Sequence, residues 1–330
     1  MRLLITGGMG FIGSNLTRYM LATYNDVEVV NLDRLSIGSN RSNLRDVEDN
    51  RRYRLVKGDL CDKMLIEDLV EDAEAVINVA AETHVDRSIA DPWPFLHSNT
   101  LGTFTLIEAA RKRDVRIVHV STDELYGEAL EGSFKEDARL QPSNPYSASK
   151  ASADLFILAY HRTYGLNVSI TRCVNNFGPY QFPEKFIPKT IIRALLNLPI
   201  PVYGTGKNVR DWIYVHDHCE ALDTVLRRGQ AGEVYNISAG NELQNIEVVE
   251  AILKLVSKPS SLVSFVEDRP GHDRRYSLDS SKITENLGWK PRHRFQEALQ
   301  QTVEWYLNNE WWWRPIATED VLTVTPWKPR

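Results

Sequence analysis

The sequence predicts an α/β protein: a doubly wound parallel sheet joined to a smaller C-terminal α/β lobe. Three observations carry this. Short apolar runs alternate with longer amphipathic stretches through the first half. A glycine-rich turn follows the first of those runs directly. After about residue 180 the alternation gives way to proline-rich connectors (Pro179, Pro183, Pro188, Pro199, Pro201) and shorter elements.

Residues 2–6, 27–32, 53–56, 75–79, 116–120 and 168–171 read as buried strands, because each is a short, mostly apolar run. Residues 13–24, 63–72, 95–112 and 151–164 read as the helices between them. Strands separated by helices imply right-handed crossovers and a parallel sheet covered on both faces. Residues 1–180 thus form the first domain, and segments such as 210–240 are expected to return to it. Residues 181–330 mainly build the second, substrate-facing lobe.

Composition excludes several function classes. A formal charge of −5 over 330 residues leaves no basic footprint for nucleic acid, although local arginines can still hold an anionic small molecule. Cys61, Cys173 and Cys219 are too sparse for a disulfide framework and fit a reducing cytoplasm. The apolar start is stopped by Gly7 and Gly8, too early for a signal-peptide core or a membrane span.

After the first strand comes Gly7-x-x-Gly10-x-x-Gly13, opening a helix. The first glycine suits a tight turn, the second a close approach of backbone to pyrophosphate, and the third close helix–strand packing. The helix then offers unpaired N–H groups and its positive dipole end to phosphates. Asp33 ends the second strand about 20 residues on, where a carboxylate accepts from ribose hydroxyls and repels a 2′-phosphate. A Rossmann domain holding NAD is therefore expected, with the adjacent Arg34 able to soften the preference over NADP. Gly58-Asp59-Leu60 and Asn78-Val79-Ala80-Ala81 end the next two strands at the same edge. Asp59 suits either an adenine amino group or a helix cap.

Tyr146 and Lys150 lie one turn apart on one helix face. A nearby ammonium is expected to lower the tyrosine pKa and make a usable base. Together with the glycine pattern, this pair resembles the extended short-chain dehydrogenase/reductase superfamily over nearly the entire chain. Thr122-Asp123-Glu124 at the end of the preceding strand is the sharper signal. Sugar epimerases of that superfamily oxidise C4 and return the hydride, for which a hydroxyl and the tyrosine suffice. A 4,6-dehydratase must also remove the C5 proton and protonate the departing C6 hydroxyl, so it needs a base and an acid.

Residues 80–88, 122–124, 146–150, 175–185, 210–212 and 269–276 together are similar to the dTDP-glucose 4,6-dehydratases. The resemblance implies that Thr122 and Tyr146 act at the C4 hydroxyl, with Asp123 the acid at C6 and Glu124 the base at C5. Lys150 completes the catalytic set. Implied cofactor contacts are Gly7, Gly10, Phe11, Ile12, Gly13, Asp33, Ser36, Asp59, Leu60, Ala80, Ala81, Ser98, Tyr146, Lys150 and Asn176. Implied nucleotide-sugar contacts are Thr83, Arg87, Thr122, Asn175, Lys185, Phe186, Pro201, Arg210, Asn245, Arg269 and His272, with Tyr203 near the base. A homodimer through the helices at 95–112 and 151–164 is implied as well. Thr83 stands where the family more often has serine, and the loop from Gly127 to Tyr146 is shorter than in some members. The alternatives are another nucleotide sugar such as GDP-mannose, whose enzymes more often carry Ser-Glu at 123–124, or a 4-epimerase with idle acids.

Other clusters read as structural. His216-Asp217-His218-Cys219 mimics metal ligands, but no metal is expected, and Asp217 reads as the N-cap of a helix through 221–228. The arginines at 41–54 are interrupted by acids and read as solvated surface. Gly204-x-Gly206 reads as a turn before the Arg210 strand, and Trp311, Trp312 and Trp313 as terminal packing or a subunit contact.

Overall fold

The structure is a computed structural model and describes residues 1–328. Its strands are β1 (Arg2–Thr6), β2 (Glu28–Asp33), β3 (Tyr53–Lys57), β4 (Ala75–Asn78), β5 (Arg116–Thr122), β6 (Val168–Cys173), β7 (Asn175–Phe177), β8 (Ile200–Tyr203), β9 (Val209–Tyr214), β10 (Val234–Ile237), β11 (Glu242–Gln244) and β12 (Val263–Val266). Seven of them form an all-parallel sheet in the order β10-β6-β5-β4-β1-β2-β3. The chain reverses direction across the sheet between β1 and β4, and at such a switch point the strand ends leave a crevice.

The helices are α1 (Phe11–Thr23), α2 (Lys63–Glu71), α3 (Val85–Ala90), α4 (Trp93–Phe95), α5 (Gly102–Arg111), α6 (Pro145–Tyr164), α7 (Phe186–Leu195), α8 (Val215–Arg228), α9 (Asn245–Leu255), α10 (Ser281–Leu287), α11 (Phe295–Asn308) and α12 (Glu310–Trp313). Side chains of β1 alternate between two cores. Leu3 and Ile5 meet Leu16 and Met20 of α1 and Leu222 of α8 on one face. Leu4 meets Ile66 of α2, Leu106 of α5 and Ile157 of α6 on the other. This two-sided burial explains the unbroken apolar runs in the sequence.

Element boundaries differ from the sequence reading in informative places. The helix expected at 95–112 is two α segments joined by a π-helical turn, Leu96–Leu101. The helix expected from 151 starts at Pro145, because Asn144 caps it and Pro145 occupies the first turn. Asp217 is not an N-cap: α8 starts directly after β9, with Tyr214 at the cap position. The Asp217 carboxylate sits in the first turn, accepts from the His293 backbone N–H at 3.1 Å, and lies 2.8 Å from His293 Nδ1.

The second layer contains a three-stranded sheet, β11-β9-β7, and a β12-β8 pair. β7 already pairs within this layer, while α8 and β10 return to the main sheet. Trp312 and Trp313 are buried in the core of this layer, and Trp311 is exposed. Trp312 Nε1 donates to Asn43 Oδ1 at 2.8 Å, tying the chain end to the first domain. Among the described residues, no helix is long and apolar enough to cross a membrane.

The β1–α1 turn packs too tightly for side chains. A Cβ on Gly7, at φ +70°, would lie 2.7 Å from Ala80 Cα, and one on Gly13 would lie 2.3 Å from the Gly7 carbonyl oxygen. Gly13→Ala is expected to lower the unfolding free energy by about 1–3 kcal/mol, as overpacking does, measured by denaturant titration.

Candidate active site

A cleft opens where the carboxyl ends of β1 to β6 meet the second layer. All fifteen residues of the expected cofactor set line it: Gly7, Gly10, Phe11, Ile12, Gly13, Asp33, Ser36, Asp59, Leu60, Ala80, Ala81, Ser98, Tyr146, Lys150 and Asn176. Asp33 is held by the Met9 and Leu35 backbone N–H groups and the Ser39 hydroxyl. Arg34 pairs with Glu82 and reaches Asp59 at 3.5 Å, so its charge is already engaged by carboxylates. Asp59 caps its own loop by accepting from Cys61 N–H at 2.9 Å, whereas Asp62 caps α2.

The cleft asks for a polar ligand. Arg87 Nε, Ser98 Oγ, Ser121 Oγ, Asp123 Oδ2, Asn175 Oδ1 and Gln181 Oε1 are buried, line it, and have no hydrogen-bond partner among the described residues. Buried polar groups are normally satisfied, so this concentration marks a ligand surface. With the side-chain-free glycine turn at a helix N-terminus, the residues present fit a dinucleotide.

The acids are positioned by a turn. Thr122 closes β5 and caps the 3-10 turn Asp123–Tyr126, its Oγ1 accepting from Glu124 N–H at 3.3 Å. The Thr122 hydroxyl donates to Asp123 Oδ1 at 3.2 Å. Asn144, the cap of α6, donates to Glu124 Oε2 at 3.4 Å. Burial, reinforced by the neighbouring Glu124 charge, pushes the Asp123 carboxyl up to about 8. Burial also raises Glu124, opposed by the Arg269, Arg210 and Lys185 charges. Two carboxyl groups side by side with different cationic neighbours are a suitable acid–base pair.

Tyr146 corrects one expectation. Lys150 was expected to lower its pKa, but burial, with Glu124 next, raises it well above the ordinary value. Lys150 Nζ instead donates to the Val120 carbonyl at 2.7 Å and lies 3.3 Å from His119 Nε2. Its own pKa is lowered to about 8 by burial, and Asp154 opposes that shift.

Of the expected substrate contacts, Thr83, Arg87, Thr122, Asn175 and Lys185 line the cleft. Phe186, Pro201, Tyr203, Arg210, Asn245, Arg269 and His272 belong to the second layer beyond it. Arg269 Nη1 and the Tyr203 hydroxyl converge on Asp86 at 2.6 and 2.9 Å. Arg210 donates to the Val209 and Asp273 carbonyls and lies over the Tyr276 ring. His272 Nδ1 lies 2.6 Å from Asp268 Oδ1, Phe186 stacks on Trp212, and Asn245 opens α9. The sequence reading missed Asp86, whose signal was an acid beside Arg87, and Glu82 and Glu184, which both pair with Arg87.

His218 is fully buried, its Nδ1 lies 2.9 Å from Asn176 Oδ1, and burial lowers its pKa to about 3. Asp59, Cys61 and His97 form the one compact group of metal-type side chains among the described residues. Burial pushes that thiol up to about 12, which disfavours the thiolate a metal needs.

Fold and site together define a nucleotide-binding oxidoreductase-type protein of the extended short-chain dehydrogenase/reductase class. The chain belongs to the GDP-mannose 4,6 dehydratase family, whose model matches residues 4–302. A dTDP-glucose 4,6-dehydratase of Streptomyces niveus is 48% identical, with 99% of this chain and 98% of that protein aligned. The low-salt glycan biosynthesis protein Agl12 of Haloferax volcanii is 51% identical over 94% of this chain and its own full length. The crystal structure of DesIV, a dTDP-glucose 4,6-dehydratase from Streptomyces venezuelae with NAD and TYD bound, superposes with a TM-score of 0.94 at 48% identity. It covers 96% of this chain and 100% of that one.

The raised Asp123 pKa makes a stability prediction. The folded state favours the protonated acid, so its penalty is absent below the unfolded value of 3.8, grows as pH rises, and is complete above about 8. Asp123→Asn is expected to be more stable than the native protein at pH 9 by more than about 1.4 kcal/mol, a tenfold change in equilibrium. The gain should vanish near pH 3, as read by urea titration at both values.

Proposed function

We propose that the protein is a dTDP-glucose 4,6-dehydratase that keeps NAD bound through each turnover and yields dTDP-4-keto-6-deoxyglucose. The observation that carries this reading is buried Asp123 with half-buried Glu124 next to it, both lining one cleft with Tyr146 and Lys150. The names of the relatives and the bound molecules of DesIV support it. Asp33 at the end of β2 and the carboxylate-engaged Arg34 favour NAD over NADP.

When bound, NAD accepts hydride from C4 and returns it to C6. Tyr146, once it has given up its own proton, acts as the phenolate and takes the C4 hydroxyl proton, aided by Thr122, leaving a ketone that makes the C5 hydrogen acidic. Glu124 removes the C5 proton while Asp123 protonates the departing C6 hydroxyl, so water leaves and a C5–C6 double bond forms. Hydride addition at C6 and reprotonation at C5 complete the product. Lys185, Arg87 and Asn175 on the cleft wall, with Arg210, Arg269 and His272 beyond it, supply charge and polar groups for the diphosphate and sugar. Tyr203 is assigned to the nucleobase end.

The domains follow the same division: residues 1–180 hold the dinucleotide, segments within 210–240 return to that domain, and 181–330 mainly hold the nucleotide sugar. We assign the protein to the cytoplasm, supported by three free cysteines. It pairs as a homodimer through the apolar side chains exposed around α5 and α6, Leu101, Leu155, Phe156 and Tyr164.

Purified protein incubated with a panel of nucleotide-hexoses, without added cofactor, is expected to form an alkali-absorbing 4-keto product from dTDP-glucose. Stoichiometric consumption of free NAD⁺, or simple inversion at C4, would overturn the reading. Glu124→Gln is expected to retain C4 oxidation while product formation falls by roughly two to four orders of magnitude. In single turnover, reduced-cofactor absorbance should then appear and persist. Asp123 must carry a proton to act as acid, so elimination is expected to weaken as pH rises through about 8. Stopped-flow rates across pH 6–10 check that limb, which Asp123→Asn should abolish.

A further inference from the structure

Beneath the cleft, Lys150 meets a charge that the reaction scheme does not use. Asp154 lies four residues further along α6, on the same face, and is fully buried. Its Oδ1 has no hydrogen-bond partner among the described residues and lies 3.8 Å from His119 Nε2, which in turn lies 3.3 Å from Lys150 Nζ. Its Oδ2 accepts from Arg172 Nε at 2.9 Å. Arg172 also donates to the Tyr126 hydroxyl at 2.7 Å, and that hydroxyl donates to Asn236 Oδ1 at 2.9 Å. The chain of contacts therefore runs from the cleft, through α6, β5 and β6, to β10.

We propose that Asp154 is a positioning residue for the reaction, acting through Lys150 as its buried counter-ion, with His119 held between the two. The inference deepens the dehydratase reading and rests on it for the role of Lys150.

An ammonium held away from water is costly. Lys150 is 2% exposed, and burial alone favours its neutral form. The groups facing it are His119 and the Val120 carbonyl of β5, Cys173 of β6 and Asp154 of its own helix. His119 is fully buried and its pKa is driven down by that burial and by Lys150, so it brings no charge. Burial pushes the Cys173 thiol up to about 12, so it is neutral too. Asp123 and Glu124 lie on the Tyr146 side of the site, where they oppose phenolate formation. Among the described residues Asp154 is thus the one carboxylate supporting the lysine from below, and Arg172 holds that carboxylate in place. In the proposed reaction, a charged Lys150 one turn along α6 is the cation at hand when Tyr146 gives up its proton.

The test is the titration of Lys150 itself, followed by NMR in the purified protein carrying 13Cε-lysine, with the resonance assigned by its loss in Lys150→Met. The native midpoint is expected near 8. In Asp154→Asn it should fall by about one pH unit or more, a tenfold loss of proton affinity. Asp154→Glu should restore most of it. Because Asp154→Asn leaves Arg172 buried without its partner, Asp154→Asn/Arg172→Met serves where the single variant does not fold. The same fall is expected there. The alkaline limb of single-turnover C4 oxidation should move down with the midpoint, whereas a merely structural defect lowers the rate at every pH without moving the limb. An unchanged Lys150 midpoint in either folded variant overturns the proposal. Absence of a 4-keto product overturns the dehydratase reading instead, and the NMR midpoint still decides the role of Asp154.

Discussion

The cleft exists because the β1–α1 turn lies against the end of β4 with no side chain between them. Gly7 approaches Ala80 and Gly13 approaches Gly7 more closely than any Cβ allows. The same junction is tied by polar contacts: the Thr6 hydroxyl donates to Asn78 Oδ1 at 2.6 Å, and Ala80 N–H donates to Thr6 Oγ1 at 3.2 Å. These join two adjacent strands where the sheet reverses its winding. Without that contact, the helix N-terminus, Asp33 and Ala80–Ala81 would not share one surface.

On the other wall of the cleft, chemistry depends on controlled desolvation. Burial raises Asp123, Glu124 and Tyr146 toward their neutral forms and drives Lys150 the same way. Local charges then act unequally: Arg210 favours ionisation of both acids. Arg269, Arg210 and Lys185 favour an ionised Glu124, while Glu124 itself disfavours ionisation of Asp123. Neighbouring carboxyl groups of similar intrinsic acidity are thereby separated into a base and an acid by what surrounds each. The six unpartnered polar atoms on the cleft wall belong to the same economy, since a polar ligand supplies the partners the fold withholds.

The sequence was most legible where function and local structure coincide. Gly7, Gly10 and Gly13 are spaced by the geometry of a single turn, and Asp33, Asp59 and Ala80 mark strand ends, so the whole expected cofactor set lines one cleft. The contacts beyond the cleft were less legible. Asp86, Tyr203, Arg210 and Arg269 come from distant segments and meet through ion pairs and hydrogen bonds that no short spacing encodes. Asp217 misled for a related reason: its residue type suits a cap, but the chain leaving β9 was already helical two residues earlier.

By itself the sequence determined the parallel sheet, the glycine turn and the acid pair following Thr122, because each follows from periodicity or from chemistry within a few residues. It also placed Tyr146 and Lys150 on one helical face. Only the tertiary structure decided what that face meets. Packing α6 on β5 and β6 put Lys150 against His119 and a backbone carbonyl and buried Asp154 beside Arg172. It also surrounded Tyr146 with enough protein to raise its pKa where spacing alone predicted a fall. Charge in a folded protein is set by solvent exclusion and by neighbours in space, and both are properties of packing that residue spacing does not carry.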